Sequence, residues 1–195
     1  MVSYNVNGTE LQISGHPEVY GPSDDTLLLA GAIGNARGRA LEIGTGSGMA
    51  AIYMAKRGLE VVATDINPHA LRLARQNARQ NGVSIDIVRA DIFDGIGGRF
   101  DTIVFNPPYL PTSPGDVTGD RWFDASVNGG PDGLRFTQRF LGGLRERLSG
   151  RGKAFILSSS LAGFPARPPP GLAWRVVAEA KLDFELLEVR RIIHC

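Results

Sequence analysis

The chain has 195 residues, 43% of them hydrophobic, with 21 basic and 20 acidic side chains and a formal charge of +1. That length supports one domain over 1–195 with a core of ordinary size, and the near balance of charge argues against a dedicated nucleic-acid-binding surface. The only cysteine is Cys195, so no disulfide forms within the chain; without an apolar run of membrane-spanning length or a basic-then-apolar leader, the expectation is a soluble, cytoplasmic protein.

In chain order, Ser3 to Ile13 alternates weakly around Asn7-Gly8, a good two-residue turn, and predicts a hairpin. A loop from His16 to Thr26 then leads into Leu27-Leu28-Leu29-Ala30, the start of a helix that Ser23 or Asp24 can cap. This hairpin and leading segment, residues 1–30, are expected to lie within the same domain. Arg39–Ile43 reads as a strand, Gly44 to Gly48 as a glycine loop, and Met49 to Arg57 as a helix stopped by Gly58. Leu59 to Thr64 is a second strand ending in Asp65. Asn67 and Pro68 open a helix with Ala70, Leu71, Ala74 and Ala78 on one face. Val83 to Val88 is a third strand and Phe100 to Phe105 a fourth. A long loop rich in Gly, Pro and Asp follows to Gly130, a length that usually carries function. Leu134 to Leu148 is an amphipathic helix and Gly152 to Ser158 a fifth strand. Prolines at 165 and 168–170 break any helix there, and Trp174 to Phe184 and Leu186 to Ile193 read as an antiparallel pair of strands. Strand and helix alternate until the last two strands. The expected fold is α/β, a doubly wound, Rossmann-like and mostly parallel sheet with one antiparallel strand and helices on both faces.

The glycine loop identifies a class of cofactor. Leu41-Glu42-Ile43-Gly44-Thr45-Gly46-Ser47-Gly48 joins strand to helix with G-x-G-x-G spacing, and Met49 stands where a dinucleotide fingerprint has its third glycine. No Gly-Lys-Ser/Thr follows, which excludes a P-loop. The form suits a cofactor without phosphates, above all S-adenosylmethionine. Asp65, about 20 residues further on, is placed to accept both ribose hydroxyls. Asp91, after the third strand, can accept from an adenine amino group while Ile92 packs on the ring. Each feature has a plainer explanation as a tight turn or a solvated strand end, but together they fall at the ends of consecutive strands on one sheet edge.

At the end of the fourth strand on that edge stands Asn106-Pro107-Pro108-Tyr109. The prolines fix φ and supply no N–H, and Asn106, preceding one, is driven toward an extended backbone. The Asn106 side-chain oxygen and the Pro107 carbonyl can accept the two hydrogens of a planar –NH2 group, while Tyr109 stacks on the plane that carries it. Such a clamp takes an amide or an exocyclic amine. His16, His69 and His194 are isolated in sequence and lack metal-ligand spacing, so no metal site is expected.

Carried by Leu41 to Gly48, Thr64-Asp65-Ile66-Asn67, Asp91-Ile92-Phe93 and Asn106 to Tyr109, the chain resembles class I S-adenosylmethionine-dependent methyltransferases. Within them it resembles the HemK family of release-factor glutamine methyltransferases. Val19-Tyr20-Gly21-Pro22-Ser23-Asp24-Asp25-Thr26 and Val177 to Glu185 are similar to the short archaeal and eukaryotic branch. The resemblance implies a seven-stranded sheet and methylation of the glutamine side-chain nitrogen (N5) in the Gly-Gly-Gln loop of a class I peptide release factor. It implies a cofactor site of Asp25, Thr26, Glu42, Gly44, Thr45, Gly46, Gly48, Asp65, Ile66, Asp91, Ile92 and Asn106. The catalytic residues would be Asn106, Pro107 and Tyr109, with Pro108 beside them in the substrate site. It also implies a small zinc-binding activator protein that forms a heterodimer along a sheet edge, for which the alternation Val83, Ile85, Ile87 is one candidate and ordinary core packing the other explanation. Two rival readings remain at this level. One is an N6-adenine or N2-guanine nucleic-acid methyltransferase, which would use the same clamp on an extruded base; the other is a cofactor-binding scaffold without activity.

Overall fold

Alternating apolar residues build the sheet from the first element. In the computed structural model, which describes residues 1–34 and 36–195, β1 (Val2–Val6) and β2 (Thr9–Ile13) form the expected hairpin. Asn7 and Gly8 both take positive φ, 49° and 82°, as a type I′ turn demands. There follow α1 (Asp24–Ile33), β3 (Arg39–Ile43), α2 (Met49–Lys56), β4 (Glu60–Asp65), α3 (Pro68–Gln80), β5 (Asp86–Arg89), β6 (Phe100–Phe105), α4 (Arg121–Val127), α5 (Arg135–Arg147), β7 (Leu148–Ser159), β8 (Leu172–Lys181) and β9 (Leu186–His194). The seven strands from β3 onward lie in the order β5-β4-β3-β6-β7-β9-β8, and β9 alone runs against its neighbours. Among the described residues, no helix is long and apolar enough to cross a membrane.

Strand periodicity sorts the core into two layers. Ala40, Val61, Ala63, Val104, Phe155 and Val189 face α1, α2 and the hairpin. Leu41, Ile43, Val62, Ile103, Phe105 and Ile156 face α5 through Phe140, Leu141 and Leu144. Helices therefore cover both faces, as the sequence predicts.

Three boundaries depart from the sequence reading. Val83 closes the end of α3 by donating to the Ala78 carbonyl at 3.1 Å, so β5 begins at Asp86 rather than Val83. β7 begins at Leu148, not Gly152, because Leu148 pairs with Phe100 ahead of an irregularity that realigns Thr102 with Lys153. The expected 111–130 loop contains a 3-10 turn (Pro114–Asp116) and α4. Asp120 caps α4 by accepting from the Trp122 and Phe123 N–H groups, both at 3.1 Å, and seven residues are too few to show helical periodicity in the sequence.

Two asparagines one helical turn apart hold the hairpin to the domain. Asn81 accepts from Gln12 N–H and donates to Gln12 C=O (2.9 and 2.7 Å). Asn77 does the same for Ser14 (2.9 and 3.1 Å) and also donates to the Ser47 carbonyl at 2.9 Å. The pair acts as a surrogate strand for the edge of β2. Asn77 is fully buried, and Asn77→Ala strands three backbone groups. The expected loss is ~3 kcal/mol, read as a fall of roughly 6–12 °C in Tm for a domain of this size. A shift under about 2 °C would show that the asparagine contributes nothing net.

Candidate active site

Four strand ends meet at one edge. In register, Ile43 lies opposite Thr64 on one side and Phe105 on the other. The next residues, Gly44, Asp65 and Asn106, therefore leave the sheet at one level, and the β5 end brings Ala90, Asp91 and Ile92 alongside. A single pocket is lined by these groups, by Glu42, Thr45 and Ile66, by Val19 to Pro22, Asp25 and Thr26 of the leading segment, and by Pro107, Pro108 and Tyr109. Of the predicted site residues only Gly48 lies off its wall. Gly48 takes φ +84°, and a Cβ there would stand 2.9 Å from the Ala74 Cβ. The close approach of α3 explains the third glycine of the loop.

Beneath the loop, Glu42 is buried and accepts from the Thr45 hydroxyl (2.5 Å) and the Ala51 N–H (3.0 Å). Its carboxylate thus staples the loop to the first turn of α2. Burial, aided by the nearby Asp65 charge, pushes the Glu42 carboxyl up to about 8 against the pull of those two hydrogen bonds. Asp65 accepts from Gly46 N–H and Asn67 N–H, each at 2.9 Å; burial raises its carboxyl while these bonds pull it back. Gly44 and Gly46 take positive φ of 63° and 53°, a conformation that strains any side chain. A Cβ on Gly46 would stand 3.7 Å from the Tyr20 carbonyl, in the gap between the loop and the leading segment. Asn67 ties that segment down by donating to the Glu18 carbonyl at 2.7 Å.

Asp91 differs from expectation. Arg139 of α5 grips both of its oxygens, each at 3.0 Å, so its charge is already matched within the protein. Ile92 is buried with φ +56°. A β-branched residue in that region is held there by its surroundings, and the strain turns Ile92 into the pocket wall.

At the other end, Asn106 donates from Nδ2 to Asp25 Oδ2 at 3.1 Å, while its Oδ1 is buried and without a partner. Pro107 is buried and Tyr109 half-buried beside it. Burial, then the charges of Asp25 and Glu185, push the Tyr109 phenol well above its ordinary range, so it stays neutral. Sequence reasoning missed Trp122, Ala125, Ser126 and Val127 of α4 and Phe136 of α5, which also line the pocket. The Asp120 cap was the available signal for the first four. It also took the histidines as isolated, whereas His16 and His69 have ring centroids 5.1 Å apart and His69 meets Trp122 edge-on at 6.4 Å.

A carboxyl that holds its proton more tightly folded than unfolded gives stability that is full below its unfolded pKa and is lost as pH rises through the folded one. For Glu42 that window runs from the ordinary 4.5 to about 8. Glu42→Gln keeps an acceptor for Thr45 and Ala51, so thermal unfolding of the ligand-free variant should lack this decline and should exceed the parent's Tm above pH 8. Equal slopes for the two proteins would show that Glu42 ionises normally.

Comparison with known proteins follows the same lines. The profile of the methyltransferase small domain family matches residues 10–120. A Methanocaldococcus jannaschii protein assigned as a protein N5-glutamine methyltransferase is 39% identical over 190 residues, covering 94% of this chain and 95% of that one. The release factor glutamine methyltransferase of Deinococcus radiodurans is 41% identical over 102 residues, 49% of this chain and 36% of its own. Among solved structures, the Thermus thermophilus 16S rRNA N2 G1207 methyltransferase, in complex with AdoMet and guanosine, superposes with a TM-score of 0.69 at 21% identity. That match covers 99% of this chain and 49% of the other, a likeness of fold. The glycine loop, the acid at the end of β4 and the Asn-Pro-Pro-Tyr turn at the end of β6 lie within residues 10–120, and the chain belongs to the methyltransferase small domain family and to the HemK family of class I methyltransferases.

Proposed function

We propose that the protein transfers a methyl group from S-adenosylmethionine to the side-chain amide nitrogen (N5) of a glutamine, in the Gly-Gly-Gln loop of a class I peptide release factor. The observation that carries this reading is the buried, unpartnered Asn106 Oδ1 at the pocket wall. A buried acceptor without a donor costs ~1–3 kcal/mol, and a bound N–H removes that cost. The full-length similarity to a protein assigned as an N5-glutamine methyltransferase supports an amide as the donor of that N–H. The Deinococcus radiodurans relative's name supports a release factor as its bearer.

The residues present fit the cofactor. The side-chain-free Gly46 leaves room under the leading segment and Gly44 leaves room beside Phe105 and the Asn106 carbonyl, and Asp65 has lone pairs left for ribose hydroxyls beyond its two backbone bonds. Ile92 and Ile66 supply apolar walls for a planar base, and Thr26 and Thr45 line the same pocket. Bound there, S-adenosylmethionine supplies an electrophilic methyl group on a positively charged sulfur. Glu42 acts one layer down, by shaping the loop.

An amide nitrogen is a poor nucleophile because its lone pair is delocalised into the carbonyl. Asn106 Oδ1 and the Pro107 carbonyl accept its two hydrogens, which increases electron density on nitrogen and fixes its lone pair toward the methyl group. Tyr109 covers the amide plane. Holding the reacting atoms in near-attack geometry is the main contribution. The electron pair of the broken S–CH3 bond stays on sulfur, which departs as the neutral thioether of S-adenosylhomocysteine; the nitrogen becomes acidic only once methylated and then releases one proton to solvent, so no base has to act first. A small zinc-binding partner is proposed to pair with β5, which is an outer strand of the sheet. Val88 is its exposed apolar residue, 40% accessible, whereas Val83 and Ile85 pack against the core.

Intact-peptide mass spectrometry of a release factor's Gly-Gly-Gln loop, incubated with the protein and S-adenosylmethionine with and without such a partner, should show one added methyl on the glutamine. Methyl on adenine or guanine amines alone would overturn the reading. Asn106→Ala should lower turnover by roughly 100-fold or more with the cofactor Kd changed only a few-fold. Asp65→Ala should instead weaken cofactor binding, and an unaltered Kd by calorimetry would remove Asp65 from that role.

A further inference from the structure

The resemblance to known methyltransferases places Asp25 with the cofactor residues, but its hydrogen bonds serve a different end. Asp25 is the second residue of α1 and only 5% exposed. Its Oδ1 accepts from the Thr26 N–H (2.5 Å), the Ser23 hydroxyl (2.5 Å) and the Thr26 hydroxyl (3.0 Å). Three donors on one oxygen fix the plane of the carboxylate. The second oxygen, Oδ2, accepts from Asn106 Nδ2 at 3.1 Å, across 81 residues of sequence.

A primary amide has two faces of opposite polarity in nearly the same shape, and a half-turn about its last torsion exchanges them. In the working orientation Asn106 offers its oxygen to the pocket; in the flipped one it offers two N–H donors to a substrate that also carries donors, and the clamp fails. Packing cannot choose between the two, because O and NH2 are almost the same size. A carboxylate does choose: facing Oδ2, the NH2 group is attracted and the oxygen repelled. The same charge-assisted bond polarises the Asn106 amide and increases the negative charge on its Oδ1.

We propose that Asp25 is a positioning residue for methyl transfer. Anchored by Ser23 and Thr26, it sets the orientation of the Asn106 amide so that Oδ1 faces the acceptor. The inference rests on the clamp described under Proposed function. It adds that the polarity of the clamp is imposed from the leading segment of the chain, outside the Asn-Pro-Pro-Tyr turn.

The test uses the full chain with Asp25→Asn, which keeps the shape but has a single oxygen: the three Ser23 and Thr26 donors hold it at the Oδ1 position, so its NH2 faces Asn106 and favours the flipped amide. Asp25→Ala serves as a second variant. First, the Asn106 side-chain NH2 resonances, assigned by their loss in Asn106→Ala, should move upfield and exchange faster with solvent in Asp25→Asn; unchanged resonances would overturn the proposal without any reference to activity. Second, with a glutamine acceptor, kcat should fall 10-fold or more in Asp25→Asn while the cofactor Kd and the acceptor KM change less than 3-fold. A rise in cofactor Kd with kcat intact at saturation would assign Asp25 to the cofactor instead. Third, the double variant Asp25→Asn/Asn106→Ala should be no slower than Asn106→Ala alone; additive losses would show that Asp25 does not act through Asn106. An active Asn106→Ala would sink the clamp itself, an outcome distinct from an inactive Asn106→Ala accompanied by a fully active Asp25→Asn.

Discussion

The structure depends on the parallel pairing of β3 with β4 on one side and β6 on the other. Because Ile43 is level with both Thr64 and Phe105, the chain leaves the sheet at the same height three times. Strands stand ~4.8 Å apart, so Gly44, Asp65 and Asn106 span about 10 Å of a single edge although 62 residues separate the first from the last. A one-residue slip in either pairing would turn one of these side chains to the opposite face. The core opposes such a slip, since Leu41, Ile43, Ile103 and Phe105 would exchange layers with Ala40 and Val104.

On that frame, buried polar groups do the fine positioning. Glu42 holds the glycine loop from below and Asp65 holds it from the side. Asn77 reaches Ser47 in the loop and Ser14 after the hairpin with the same NH2 group. The hairpin is thereby coupled to the cofactor loop through one amide, although it supplies no residue to the pocket lining. Each of these groups is costly to bury and stays inexpensive only because its partners are all in place.

Polarity differs between the two ends of the pocket. The loop end is held by two buried acids, Glu42 accepting from the Thr45 hydroxyl and the Ala51 N–H and Asp65 from the Gly46 and Asn67 N–H groups. At the acceptor end an amide oxygen is left unpaired beside a phenol kept neutral by burial first and by the Asp25 and Glu185 carboxylates second. α4 closes the remaining side with Trp122 against His69, so the pocket is bounded by seven separate stretches of the chain: the leading segment, four strand ends, α4 and Phe136 of α5.

How much of this could be read beforehand follows from the range of each interaction. Strand and helix periodicity, the Asn7-Gly8 turn, the glycine loop and the Asn-Pro-Pro-Tyr turn are local, and the sequence alone determined them, together with the family and the edge on which the site lies. Features that depend on distant groups were not legible. Arg139 pairs with Asp91 from 48 residues away, α4 is capped by a single aspartate in a segment without periodicity, and a Cβ on Gly48 would meet Ala74 of α3. Likewise, sequence could place Asp25 near the site, but only the tertiary structure decided that it faces Asn106. A carboxylate's role is set by which donors surround it, and those donors are brought together by folding, not by spacing along the chain.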